Sequence, residues 1–360
     1  MTDFPDAPSV LRLLASRPRL LALGEPTHGD DVLLDLRNDL FRQLVEQQGY
    51  RTIAIESDCL MGLLVDEYVT AGTGELDEVM GRGFSHEWGA FAGNRELVRW
   101  MRAFNTGRPA YDQVRFAGCD GPLEITGAAS PRPALLALQA AIDPTPLSGT
   151  AQTLDRLLGS DDRWTNPAAM MDPAQSVGQT PEAGELRLLA GDLAAKSTSD
   201  RARLYARTAV GLLRYHFWMA DTSPNRMERL LAQRDAMIAG NLIALAEQGP
   251  TLVSAHNSHL RRDKSTTWSS AGSIVAGRLG DEYAFLATAL GTLPSHGVDA
   301  PPPGTVEGLL YALPPERCLV DPRRLPATLA PRVSPWYGYA PLNPAHLADI
   351  DGIVFVKDAR

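Results

Sequence analysis

The stretch Leu20-Leu21-Ala22-Leu23-Gly24-Glu25-Pro26-Thr27-His28-Gly29-Asp30-Asp31 decides the fold. Its apolar beginning reads as a buried strand that stops at a glycine. A polar loop follows, setting a carboxylate and an imidazole three residues apart. From Asp31 the rhythm turns helical, with Leu33, Leu36, Leu40, Phe41 and Leu44 falling on one face. Strand, polar loop and helix in that order mark the place where α/β enzymes keep their reacting groups. A Glu-x-x-His pair is suited to orienting and activating a water molecule, which makes hydrolysis the first chemistry to consider.

Working outward, further apolar runs at 52–56, 114–118, 251–255 and 283–290 read as strands, and 352–356 as an edge or closing strand. Strands alternating with helical patterns predict an α/β fold: a mostly parallel central sheet flanked by helices. About 130 residues between the third and fourth runs carry no strand pattern. Segments 131–142, 185–196, 201–220 and 225–248 read there as helices, broken by a Pro/Gly/Ser/Asp-rich stretch from 160 to 184. The expected organisation is an α/β catalytic core from 1–124 and 249–360, with a helical insertion, 125–248, forming one side of an active-site cleft. The Pro-rich segment 298–304 reads as a linker or surface loop.

Composition narrows the function classes. The 360 residues carry 44% hydrophobic and 21% charged side chains, the profile of a globular protein with a large core. A net charge of -9 argues against nucleic acid or an anionic membrane as partner and leaves a small-molecule substrate. No apolar run approaches the roughly 20 residues a bilayer requires, and the acidic start, Met1-Thr2-Asp3, is unlike a signal peptide. A cytoplasmic location is expected. Cys59, Cys119 and Cys318 are odd in number and widely spaced, so they read as small buried hydrophobes and give no disulfide or zinc pattern.

The carboxyl ends of the predicted strands hold the chemistry. The first ends at Glu25 and His28, the second at Glu56-Ser57-Asp58, the third at Cys119-Asp120 and the fourth at His256-Asn257-Ser258-His259. In a parallel sheet these line one edge, where ligands bind in open α/β folds. His28 could cap the following helix, but Asp30 or Asp31 would do so better, which frees the imidazole to act as a base. Glu25 could hold its tautomer or be a solvated loop carboxylate. Glu56 extends an apolar strand, where a carboxylate needs a partner or a role. His256 and His259 could ligate a metal or donate to an oxyanion. His86 could belong to the pocket wall or be a structural loop histidine, and Arg37 by spacing alone reads as a surface helix charge. His216, His296 and His346 read as ordinary residues. No G-x-S-x-G elbow, phosphate-binding glycine loop or H-E-x-x-H helix is present.

At these residues the chain resembles the erythromycin esterase family, hydrolases that open macrolide lactones. The matching pieces are Leu23-Gly24-Glu25-Pro26-Thr27-His28-Gly29, Ile53-Ala54-Ile55-Glu56, the segments 97–105 and 114–120, Arg234-Asp235-Ala236-Met237 with Asn241, and Ala255-His256-Asn257-Ser258-His259. The resemblance implies an α/β core beside a helical portion with a deep cleft between. It implies His28 as the base that activates water, Glu25 as its neighbour, and Glu56, Arg37, His256 and His259 as active-site groups. It also brings in Arg234 and Asp235 as support for the pocket from the long helix, and with His86 of the pocket wall and Asp120 at the third strand end these are the candidate substrate-binding residues. The chemistry expected is hydrolysis of an ester or lactone of a bulky natural product, with Arg37, His256 and His259 stabilising the oxyanion and no cofactor. A divalent metal at Glu25, His28, His256 and His259 is the lesser alternative. One departure is Val32, where family members commonly carry a glutamate four residues after the motif histidine. That change leaves open a non-hydrolytic reaction on the same scaffold, such as cyclisation, elimination or group transfer.

Overall fold

The computed structural model describes residues 6–124, 127–143, 149–262, 268–326 and 328–359. In chain order the first elements are α1 (Ala7–Leu13), β1 (Leu20–Glu25), α2 (Asp31–Gln48), β2 (Thr52–Asp58), α3 (Gly62–Ala71), α4 (Leu76–Arg82), α5 (Ala92–Asn105) and β3 (Arg115–Asp120). A short hairpin, β4 (Leu123–Glu124) and β5 (Gly127–Ala128), leads into α6 (Arg132–Ile142), α7 (Gly149–Leu158), α8 (Pro181–Ala195), α9 (Asp200–Met219) and α10 (Arg226–Gln248). The chain then returns through β6 (Thr251–His256), α11 (Asn257–Leu260), α12 (Ala271–Leu279), β7 (Tyr283–Thr292), α13 (Val306–Tyr311), β8 (Arg317–Val320) and β9 (Gly352–Asp358).

Seven strands form one sheet in the order β3-β2-β6-β1-β7-β9-β8, parallel except for β8, which runs antiparallel to β9. The expected α/β fold with a mostly parallel sheet is therefore what the chain adopts. The 352–356 run differs from its expected place at an edge: β9 lies between β7 and β8, and β8 is the edge. The reason is visible in the sequence of β8, whose four residues are too few to show a periodicity of their own.

β1 is buried along its whole length because both of its faces are covered. Leu21 and Leu23 pack with Leu36, Leu40 and Phe41 of α2, whereas Leu20 and Ala22 point to the opposite layer with Val253 and Phe285. Most of the insertion has a core of its own, including Leu135, Leu158, Trp164, Leu186 and Leu213. Its last helix, α10, also covers the sheet, through Ile238, Ala239 and Leu242. Both glycines of the opening motif are steric necessities. A Cβ on Gly24 would lie 2.2 Å from Asn257 Oδ1, and Gly29 adopts φ +78° with the Phe91 ring against it.

Candidate active site

The register of the sheet assembles the site. Glu25 stands opposite His256 across the β1–β6 pair. The alignment of Ile55 with Ser254 sets Glu56 beside them at the same edge. The turn after β1 brings His28 back over its own strand end, where Nδ1 meets Glu25 Oε1 at 2.7 Å. Because the carboxylate can only accept, Nδ1 carries a proton and the neutral ring keeps Nε2 bare. Nε2 lies 3.9 Å from Glu56 Oε2, and the side chain is one-third exposed (33%), so it meets solvent at the strand ends.

Glu56 is the hub. Its Oε2 accepts the backbone N–H of His256 at 2.7 Å, and its Oε1 lies 3.0 Å from Arg234 Nη2 and 3.3 Å from His259 Nε2. Arg234, carried by α10, also donates through Nε to Asp120 Oδ2 at 2.8 Å. His259 is held from its other side by Asp235, Nδ1 to Oδ1 at 2.6 Å, and Trp268 Nε1 donates to the second oxygen of Asp235 at 2.8 Å. With a carboxylate at each nitrogen, His259 is a doubly protonated, fixed cation.

His256 is the opposite case. The backbone N–H of Ser258 donates to its Nδ1 (3.3 Å), and Ser258 Oγ lies 2.6 Å from the same nitrogen. That places the ring proton on Nε2, which is then a neutral donor.

The charges follow from this geometry. For Glu56, burial opposes ionisation, but His259, His28 and Arg234 outweigh it and hold the carboxyl well below its usual range. Burial and the nearby His28 push His256 down to about 4. Burial also opposes the charge on His259, yet Glu56 and Asp235 overcome it and raise the ring to about 10. In His28, burial is outweighed by the Glu25 hydrogen bond and the charges of Glu56 and Glu25, which leaves its pKa above the ordinary 6.5.

The raised value of His259 has a stability consequence. Its contribution is fully present below the unfolded histidine pKa of about 6.5 and is lost as pH rises through about 10. Asp235→Asn removes one of the two supporting carboxylates. In that variant the alkaline decline of the urea midpoint is expected to start from the same pH but to be smaller and to level off at lower pH than in the parent protein; superimposable pH profiles would disprove the pairing as a source of stability.

Of the expected residues, Glu25, His28, Glu56, His256 and His259 meet directly. Arg234, Asp120 and Asp235 join them, but Asp120 and Asp235 are buried and engaged by protein groups. They anchor the cations of the site. Arg37 is buried, its guanidinium donates to Asn38 Oδ1, and it is coupled electrostatically to Glu25. The surface position that its spacing suggests is therefore not the one it takes. His86 stands one ring further out, 5.5 Å from Trp88 between ring centroids, with Nδ1 2.6 Å from Glu124 Oε2.

Trp88, Trp268 and Glu124 complete the surroundings and carry no sequence pattern of their own. Ser258, which joins them, had a signal in its place inside the His256–His259 run. Among the described residues no group of three or more His, Cys, Asp or Glu is arranged to hold a metal ion. Four ring nitrogens of the site histidines face Glu25, Ser258, Asp235 and Glu56. The three cysteines are buried, as expected, and none of them forms a disulfide. Among the described residues no helix is long and apolar enough to cross a membrane.

The fold and site together define an α/β protein with a histidine–carboxylate centre at the carboxyl edge of its sheet. The erythromycin esterase family model matches residues 45–357, and the chain belongs to that family. At family level it is a hydrolase of the esterase kind. Glu25, His28 and Arg37 precede the matched stretch, so their place in the site rests on the geometry above. Similar solved structures include a protein from Bacillus cereus (16% identity, 97% of this chain and 90% of that one, TM-score 0.75) and a succinoglycan biosynthesis protein (16%, 97% and 90%, 0.71). A mutant of the erythromycin esterase EreC in its open conformation is also similar (19%, 97% and 92%, 0.68). At these identities the likeness shows the shared fold. No curated protein matches the chain.

Proposed function

We propose that this chain hydrolyses an ester or lactone of a bulky, macrolide-like natural product with water activated by His28. The observation that carries the reading is the placement of the His28 ring: Nδ1 tied to Glu25, Nε2 bare and 3.9 Å from Glu56 Oε2. A water at ordinary hydrogen-bond distance from both, about 2.8 Å, would give one O–H to each acceptor and turn a lone pair outward. His28 takes the first proton as the water oxygen bonds to the substrate carbonyl carbon. The carbonyl oxygen becomes an oxyanion, and the neutral His256 Nε2–H is the donor best suited to it, with the fixed charge of His259 behind it. Collapse of the tetrahedral intermediate breaks the C–O bond, and the His28 imidazolium returns its proton to the leaving alkoxide. The His28 proton is thus taken and given back within one turnover, and no metal or cofactor is required.

The test is mass analysis of macrolides and simpler lactones and esters incubated with the protein in ¹⁸O-labelled water. A product heavier by one labelled water is the expected result. An unlabelled isomer would transfer the reading to cyclisation or elimination on the same scaffold, the alternative that Val32 leaves open. A panel recovered unchanged would count against these substrate classes.

A further inference from the structure

The loop that follows α4 is held in an uncommon backbone shape, and what it holds is one indole. His86 and Glu87 both adopt positive φ, 57° and 60°, a region that non-glycine residues seldom enter. Several bonds keep them there. Ser85 N–H donates to Ser57 Oγ and Asp58 N–H donates to Ser85 Oγ, each at 2.9 Å, fastening the loop to the end of β2. Glu124 grips His86 twice, at its backbone N–H (3.2 Å) and its Nδ1 (2.6 Å). Asn94 Nδ2 donates to the carbonyl of Trp88 at 3.0 Å. Gly89 is pressed so close to Met80 that a Cβ would fall 1.7 Å from a carbonyl oxygen. The outcome is a buried indole 4.8 Å from the His28 ring between centroids, tilted by 44°.

We propose that Trp88 is a positioning residue for His28: its indole keeps the ring against Glu25 and its π face stabilises the imidazolium formed when His28 takes a proton. An indole within about 6 Å of a cation attracts it through the ring quadrupole. The charged and titratable groups facing His28 come from every neighbouring element: Glu25 from β1, Glu56 from β2, His256 and His259 from β6 and α11, and His86 beyond the indole. The two carboxylates favour the imidazolium and His259 opposes it. Trp88 adds a stabilising surface that is itself uncharged and contributes no competing proton acceptor. The importance of this contact for catalysis rests on His28 being the base, but the contact can be measured without any substrate.

The experiment is an NMR titration of the His28 ring, its resonance assigned with His28→Gln, in the parent protein and in Trp88→Leu. Leucine keeps the apolar cover and removes the π face. The expected result is a lower His28 midpoint, by roughly half a pH unit or more. An unchanged or raised midpoint in the folded variant would overturn the proposal. Trp88→Met makes the same comparison with a more adaptable side chain if the leucine variant does not fold. A lowered midpoint in a protein that hydrolyses none of the tested esters would leave the positioning role standing and fail the proposed reaction alone.

Discussion

His28→Ala is expected to lower kcat on any ester or lactone the parent protein cleaves by about 10²- to 10⁴-fold, the usual contribution of a positioned general base. KM should change little, because the ring acts on water and not on the bulk of the substrate. The same assignment fixes the pH dependence. His28 works only when unprotonated, and its pKa lies above 6.5, so activity should climb with pH through a value on the alkaline side of an ordinary histidine. Glu25→Gln removes both a charge and a hydrogen bond that raise that value. In that variant the ascending limb should move to lower pH while the plateau falls, because an amide can present its N–H to Nδ1 and leave Nε2 protonated. A pH–rate profile of kcat/KM for the three proteins decides the matter. Full turnover by His28→Ala, or a limb that ignores Glu25→Gln, would remove His28 from the role of base.

How far the site was legible in sequence depended on whether a residue's partner lay on the same short segment. Glu25 and His28 declare each other across three residues, and the end of an apolar strand told where they would stand. His256 and His259 were placed by the same reasoning. Their opposite charge states were not, because these depend on Ser258 for one and on Asp235, 24 residues earlier on α10, for the other. Arg37 shows the limit from another direction. Its spacing on an amphipathic helix reads as a surface charge, and only the packed structure shows it buried and coupled to the charge of Glu25. The sheet was visible wherever its strands run to six or more residues and failed at β8, which has four. Trp88 was out of reach for a plainer reason: an indole seated by two residues of positive φ leaves no periodic trace.

Arg234→Met should be the most destabilising single change at the site, at about 3–5 kcal/mol, the cost of leaving buried charges without their partner. The side chains of Asp120 and Glu56 are 0% and 3% exposed, and one guanidinium serves both. Methionine preserves the packing of the aliphatic stem but leaves Asp120 with no cation and Glu56 with only its histidines. Arg234→Lys should recover part of the loss, since a point charge can approach both acids but cannot present the planar fork. The effect has a pH signature whose sign can be stated. Glu56 has a depressed folded pKa, so its stabilisation is present above the unfolded value of about 4.3 and disappears as pH falls through the folded one. Removing Arg234 lessens the depression, and a carboxyl that can protonate more readily escapes the penalty of being unpaired. The deficit of the methionine variant should therefore hold from neutral pH down to about 4.3 and shrink below it. Urea unfolding at pH 7.5 and pH 3.5 tests this directly. A deficit under about 0.5 kcal/mol, or one that grows on acidification, would mean that the helix α10 does not secure the strand-end carboxylates through this residue.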